Sequence, residues 1–157
     1  MNRQFVIKGL KKRQFNGIMK MSELELQQKH AKWLTVDNNP GFPCRVSLED
    51  AEVGERVLAL TYSHHAVESP YRASGPIFVR ENAEDKTLAV NDVPNMLRHR
   101  LLSLRGYDVD NMMVEAEVTP GTELEAAIDR LFENKDVDYI HIHNANPGCF
   151  NCIVLRI

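Results

Sequence analysis

Apolar positions in this chain come mostly in short runs or alternate with polar ones, and only one stretch repeats them at helical spacing. Leu124, Ala127, Ile128, Leu131 and Phe132 recur at i, i+3, i+4, i+7 and i+8. That spacing lines one face of a helix of 3.6 residues per turn, and predicts a helix over Glu123–Glu133. Thr122 and Glu125 have the capping-box spacing at its start, as Ser22 and Glu25 do for a shorter helix ending near His30. Pro94 suits the first turn of a third, through about Arg98, because a first-turn proline gives up no hydrogen bond. Strands are predicted at Phe5–Lys8, Lys32–Val36, Val57–Tyr62, Ile77–Arg80, Tyr139–His143 and Cys152–Ile157. Met112, Val114, Ala116 and Val118 alternate with Met113, Glu115 and Glu117, the period of a strand with one dry and one wet face. Strands dominate without strict strand–helix–strand alternation. The class is α+β, with a mixed, mostly antiparallel sheet and two or three helices. No repeat, linker or low-complexity stretch interrupts residues 1–157, which read as one domain.

Composition narrows the partners. The chain has 157 residues, 43% hydrophobic and 26% charged, enough to bury a core without disulfides or metal. Its formal net charge of -3 argues against nucleic acid, since phosphate binding wants a basic surface. The basic cluster Lys8, Lys11, Lys12, Arg13 and Lys20 reads as a solvated loop. No apolar run has the length of a signal peptide core or a membrane span, so no membrane partner is expected. Three cysteines without an export signal point to reduced thiols and a cytoplasmic location.

The closing stretch His141-Ile-His-Asn-Ala-Asn-Pro-Gly-Cys-Phe-Asn-Cys152 carries the densest chemistry. Two histidines and two cysteines are in principle a zinc set. On a continuous strand, however, Cys149 and Cys152 point to opposite faces, so zinc is the minority reading and no cofactor is expected. Asn144–Gly148 reads as a five-residue hairpin loop of turn formers. In the simplest register His143 lies opposite Cys149 and His141 opposite Asn151, with Ile140, Ile142 and Cys152 on the core face. A thiol beside an imidazole is a candidate nucleophile, although a packed cysteine next to a hydrogen-bonded histidine looks the same in sequence.

Arginines and tyrosines beside turns are the other candidates. Arg45 follows a Gly-Phe-Pro turn, and Tyr71 lies in a loop of rigid and small residues. Arg80, Arg105 and Tyr107 fall within or at the ends of strand patterns. Guanidinium forks converging on a cleft would suit an anionic ligand, whereas the 22 acidic residues offer them ordinary salt bridges. His64-His65, at a strand end, reads as solvent-exposed. No phosphate-cradling glycine loop, nucleophile elbow or His-Glu-x-x-His helix is present.

Gly41-Phe-Pro-Cys-Arg45, Asp50-Ala-Glu-Val-Gly-Glu55, Ser69-Pro-Tyr71 with Gly75-Pro-Ile-Phe-Val79, and the ending from His141 to Phe150, in this order, resemble the bacterial domain-of-unknown-function 1203 family. The resemblance covers nearly the whole chain and implies no activity. Many members of that family have a second cysteine where this chain has Ser47, which leaves Cys44 without a close partner for a metal. Two functions stand as expectations. One is a small-molecule-binding domain, its ligand anionic, with Arg45, Tyr71, Arg80, Arg105 and Asn144 as binding residues. The other is an enzyme using Cys149 or Cys44 as nucleophile with His141 or His143 as base. No acidic residue stands beside the histidines to orient them, which favours binding.

Overall fold

The structure, a computed structural model, describes residues 4–157. The described residues form eight strands: β1 (Phe5–Lys8), β2 (Ala31–Thr35), β3 (Arg56–His65), β4 (Ala73–Arg80), β5 (Leu101–Tyr107), β6 (Met113–Pro120), β7 (Tyr139–Asn144) and β8 (Phe150–Arg156). They form a five-stranded sheet in the order β1-β8-β7-β5-β6 and a three-stranded sheet β2-β3-β4. Every strand pair is antiparallel. The fold is α+β, as the patterns predicted, but with two antiparallel sheets rather than one mixed sheet. A parallel contact occurs in the isolated bridge between Cys44 and Phe78. Periodicity marks a strand without naming its neighbour, and β1 pairs with the far end of the chain through Phe5↔Arg156 to Lys8↔Ile153.

Among the described residues four α-helices interrupt the strands: α1 (Asn16–Met19), α2 (Glu23–Gln28), α3 (Asn95–Arg98) and α4 (Leu124–Glu133). The Ser22 capping box forms, with the Ser22 hydroxyl accepting from Glu25 N and Glu25 accepting from Ser22 N. The Thr122 box does not. Gly121–Glu123 make a 3-10 turn and no side chain caps α4. Glu125 instead takes a two-pronged bond from Arg98 at 2.6 and 2.7 Å. The 3-10 turn packs tightly on α3: a Cβ at Gly121 would stand 1.7 Å from the Leu97 carbonyl oxygen.

The apolar stripe of α4 lies on one face of the larger sheet, where Leu124, Ile128, Leu131 and Phe132 pack with Leu102, Leu104, Ile140, Ile142, Cys152 and Val154. Edge strand β6 inverts its expected faces. Glu117 accepts from Arg130 and Glu115 from Asn134 beneath the flank of α4, while Val114 and Val118 are exposed. An edge strand meets the polar flank of the helix rather than its apolar stripe, so the charges find partners and the valines face out. The other face of the larger sheet carries Ser103, Arg105, His141 and His143 as register neighbours, and the end of β3 crosses over it. Among the described residues, no helix is long and apolar enough to cross a membrane.

Candidate functional site

The β7–β8 hairpin forms, but its register differs from the simple one. Ile142 pairs with Cys152 and His143 with Phe150, leaving Asn151 as a bulged extra residue. Asn144 N donates to the Cys149 carbonyl at 2.9 Å and Gly148 N to the Asn144 carbonyl at 2.8 Å, closing the loop. Gly148 turns it with φ +85, a left-handed conformation that glycine adopts without steric cost. Asn151 is buried and donates to Asn144 Oδ1 at 2.7 Å. The loop is one residue shorter than the Asn144–Gly148 reading, because Asn144 ends β7 and bonds Cys149, and this slip sets His143 against Phe150 instead of Cys149. Cys152 fills the core between the sheet and α4, as expected, and burial pushes its thiol up to about 12.

Cys149 meets Arg45 instead of a histidine. Arg45 Nη2 donates to its Sγ at 3.1 Å and Asn144 Nδ2 at 3.4 Å. Arg45 follows the Pro43 turn, and its backbone is fixed by bonds from its N to the Phe78 carbonyl and from Leu10 N to its own carbonyl. Its guanidinium also donates to the Phe150 carbonyl at 2.7 Å and to the Pro43 carbonyl. At 1% exposure it is among the largest fully buried side chains. Burial lowers its affinity for its proton, against the pull of the Cys149 sulfur. Among the described residues no carboxylate pairs with it: its side-chain bonds go to two carbonyls and a thiol.

This guanidinium and thiol line a cleft of about 440 Å³ with Pro43, Phe78, Leu101, Asn144 and Pro147 among its walls. Arg100 reaches the same cleft with its charge committed to Asp50 at 2.6 Å. A larger groove, about 700 Å³, lies along α2 and Trp33. There Arg56 pairs with Glu81 at 3.2 Å, and none of the residues singled out in the sequence lines it, so the smaller cleft is the better candidate.

Behind the cleft is a cluster of imidazoles that local sequence does not announce. β3 carries His64 and His65 across the larger sheet, and both leave solvent: His65 is buried and His64 half-buried. The His64 ring stacks on Phe150 at 5.4 Å and meets His143 edge-on at 5.0 Å. His65 packs on His141 at 5.0 Å and Tyr107 at 4.2 Å. Its Nδ1 is 2.8 Å from the Tyr71 carbonyl and its Nε2 2.6 Å from the Tyr139 hydroxyl. A carbonyl only accepts, so Nδ1 carries a proton. By the same reasoning His143 donates from Nδ1 to Gly148 O at 2.9 Å, and its Nε2 is a buried lone pair without a protein partner. The Nδ1 atoms of His64 and His141 are likewise buried and unpaired.

His141, His143 and His64 are shifted toward the neutral form. Burial, reinforced by His65, His143, His64 and Arg105, pushes His141 down to about 3. Burial first, then Arg105, His64 and Arg45, brings His143 down to about 4, although its bond to Gly148 favours the proton. His64 is lowered by burial, His65 and Arg105. Tyr139 is pushed up to about 12, chiefly by burial. No three His, Cys, Asp or Glu residues among those described are grouped to hold a metal ion.

The sequence candidates therefore separate. Arg45, Asn144 and Cys149 meet in the cleft. His141 and His143 join the imidazole cluster, and neither hydrogen-bonds Cys149. Tyr71 stands by Tyr107 at 6.1 Å, outside the cleft. Arg80 pairs with Glu55 at 2.8 Å and Glu49 at 3.3 Å. Arg105 faces the imidazoles and bonds Ser103 at 3.4 Å. Cys44 is fully buried, its sulfur accepting from Ser47 N and Arg80 N. His64 and His65, which polarity at a strand end marks as solvent-exposed, and Tyr139, the first residue of a strand pattern, are instead part of this cluster.

A family model described as a protein of unknown function, DUF1203, matches residues 41–156. No curated protein and no solved structure matches the chain.

Proposed function

The chain belongs to the DUF1203 family, and for it we propose that the protein binds a small anionic molecule in the cleft between the β7–β8 hairpin and β4. The observation that supports this is the Arg45 guanidinium, 1% exposed and without a carboxylate partner among the described residues. Burying an uncompensated charge costs several kcal/mol, and Arg45 opens on a cavity whose size falls in the range of small-molecule sites. A ligand with one anionic group and a compact apolar body fits the chemistry. The anion completes the charge of Arg45, and Pro43, Phe78, Leu101 and Pro147 take the body. Arg45 and Asn144 are the binding residues, with Arg100 at the rim.

Thermal unfolding of the full chain in phosphate, sulfate, acetate and benzoate tests the reading, alongside a Leu101→Trp variant that fills the mouth. Leu101 is 46% exposed, so the fold tolerates the change. A ligand at a hundred times its dissociation constant adds about 2.7 kcal/mol, which appears as a rise in melting temperature. At least one anion should give that rise in the native chain and a smaller one in the variant. No rise with any of them, or equal rises in both proteins, overturns the reading.

A further inference from the structure

We propose that Cys149 is a nucleophile and that its reactants are small carbon electrophiles carrying an anionic group. This rests on the cleft being an anion site, and it adds a covalent step there. Cys149 stands apart from the other two cysteines. Cys44 and Cys152 are fully buried, whereas Cys149 is half-buried and lines the cleft. Its sulfur is placed as an acceptor, with N–H groups of Arg45 and Asn144 aimed at it from 3.1 and 3.4 Å.

The independent observation is Arg45 itself. A guanidinium 1% exposed at the cleft wall, bonded to two carbonyls and the Cys149 sulfur and paired with no carboxylate among the described residues, leaves a positive charge here that the charged end of a reactant can meet. Histidine is not needed as a base: the half-buried thiol gives its proton to solvent, and the thiolate is the attacking form. In the reaction the thiolate pair forms a bond from Sγ to the electrophilic carbon. The bond from that carbon to its leaving group breaks, and the group departs with the bonding pair. No oxidant or further proton enters this step.

Iodoacetate and iodoacetamide are suitable probes, because they differ in charge at nearly equal size and both expel iodide. The native full chain is treated with each, the rate at every cysteine is read by peptide mass, and glutathione serves as the free-thiol reference. Cys149 should be the one cysteine alkylated. Its rate ratio of iodoacetate to iodoacetamide should exceed that of glutathione about tenfold, as expected for one charge-assisted hydrogen bond to the reagent. Arg45→Lys should lose most of that preference. Should this variant fail to fold, phosphate protecting native Cys149 from iodoacetate serves the same purpose.

A ratio equal to that of glutathione, or a Cys149 slower than glutathione with both reagents, overturns the proposal. The two readings fail separately. Anions that raise the melting temperature while Cys149 stays inert leave the binding site standing and remove the nucleophile. If no anion stabilises the protein, and Cys149 reacts without preferring iodoacetate, both fall.

Discussion

Lowering the pH from about 7.5 to about 5 tests the imidazole cluster directly, because burial shifts His141 and His143 toward the neutral form and no carboxylate among the described residues pairs with either. His141 and His143, 4% and 1% exposed, titrate near 3 and near 4 in the folded protein, against about 6.5 for histidine in an unfolded chain. The folded values are the depressed ones, so below about 6.5 the unfolded chain binds the extra protons. Stability is then complete above about pH 7 and falls as the pH drops from about 6.5 toward the folded values. Each histidine costs about 1.4 kcal/mol per pH unit in that window, so two of them over about 1.5 units remove about 4 kcal/mol by pH 5. His64 adds in the same direction. This is a large fraction of the ~5–15 kcal/mol of a typical domain. Carboxylates act lower: Glu55 and Glu125 are held below their ordinary value by Arg80 and Arg98, so their contribution is lost only below about pH 4.5. Urea unfolding followed by circular dichroism at both pH values gives the difference. A variant carrying His141→Phe and His143→Phe keeps rings in the cluster and should lose most of the pH dependence. Equal stability of the native chain at both pH values, or an unchanged acid loss in the variant, would refute the reasoning.

Four further outcomes can be measured on the same protein. Ile128→Ala, in the centre of the core face of α4, should cost about 2–5 kcal/mol in denaturant unfolding, and a change under about half a kcal/mol would displace the helix from this face. Ser22→Ala should cost about 1 kcal/mol because its cap is made, whereas Thr122→Ala should stay within about half a kcal/mol because its cap is not. Val118, 59% exposed, should accept Thr with a change of under about half a kcal/mol, and a core-like loss would restore the inward face first predicted. Cys152, with its thiol pushed up to about 12, should resist a disulfide reagent at about pH 8 until urea unfolds the chain; modification in the native state would place it outside the core.

Much of the fold is written in short-range pattern. The α4 stripe, the Ser22 cap and the alternation of β7 depend on residues within a turn or a few positions of one another, and sequence displays such spacing directly. The inward facing of Cys152 followed from the same alternation. Arg45, Asn144 and Cys149 could also be named in advance, because a rigid Gly-Phe-Pro turn and an Asn-rich hairpin are local signals. Their convergence was not local. Arg45 reaches Cys149 across 104 positions of sequence, through a backbone held by Phe78 and Leu10, which no window of residues contains. A hairpin loop one residue shorter than the local turn signals suggest then separated Cys149 from His143, since a slip of one residue changes which side chains stand opposite. The same limit inverted β6, whose alternation is faithful but whose inner face depends on where the flank of α4 falls. His64 and His65 carry polar letters at a strand end and read as wet. Only the passage of β3 over the larger sheet makes them core. Pattern thus determined most of the elements, β5 and α1 excepted, and part of their facing, through interactions that decay within a turn. Tertiary structure alone decided that Arg45 is buried without a carboxylate among the described residues, because compensation of a buried charge depends on every group within a few ångströms, however distant in the chain.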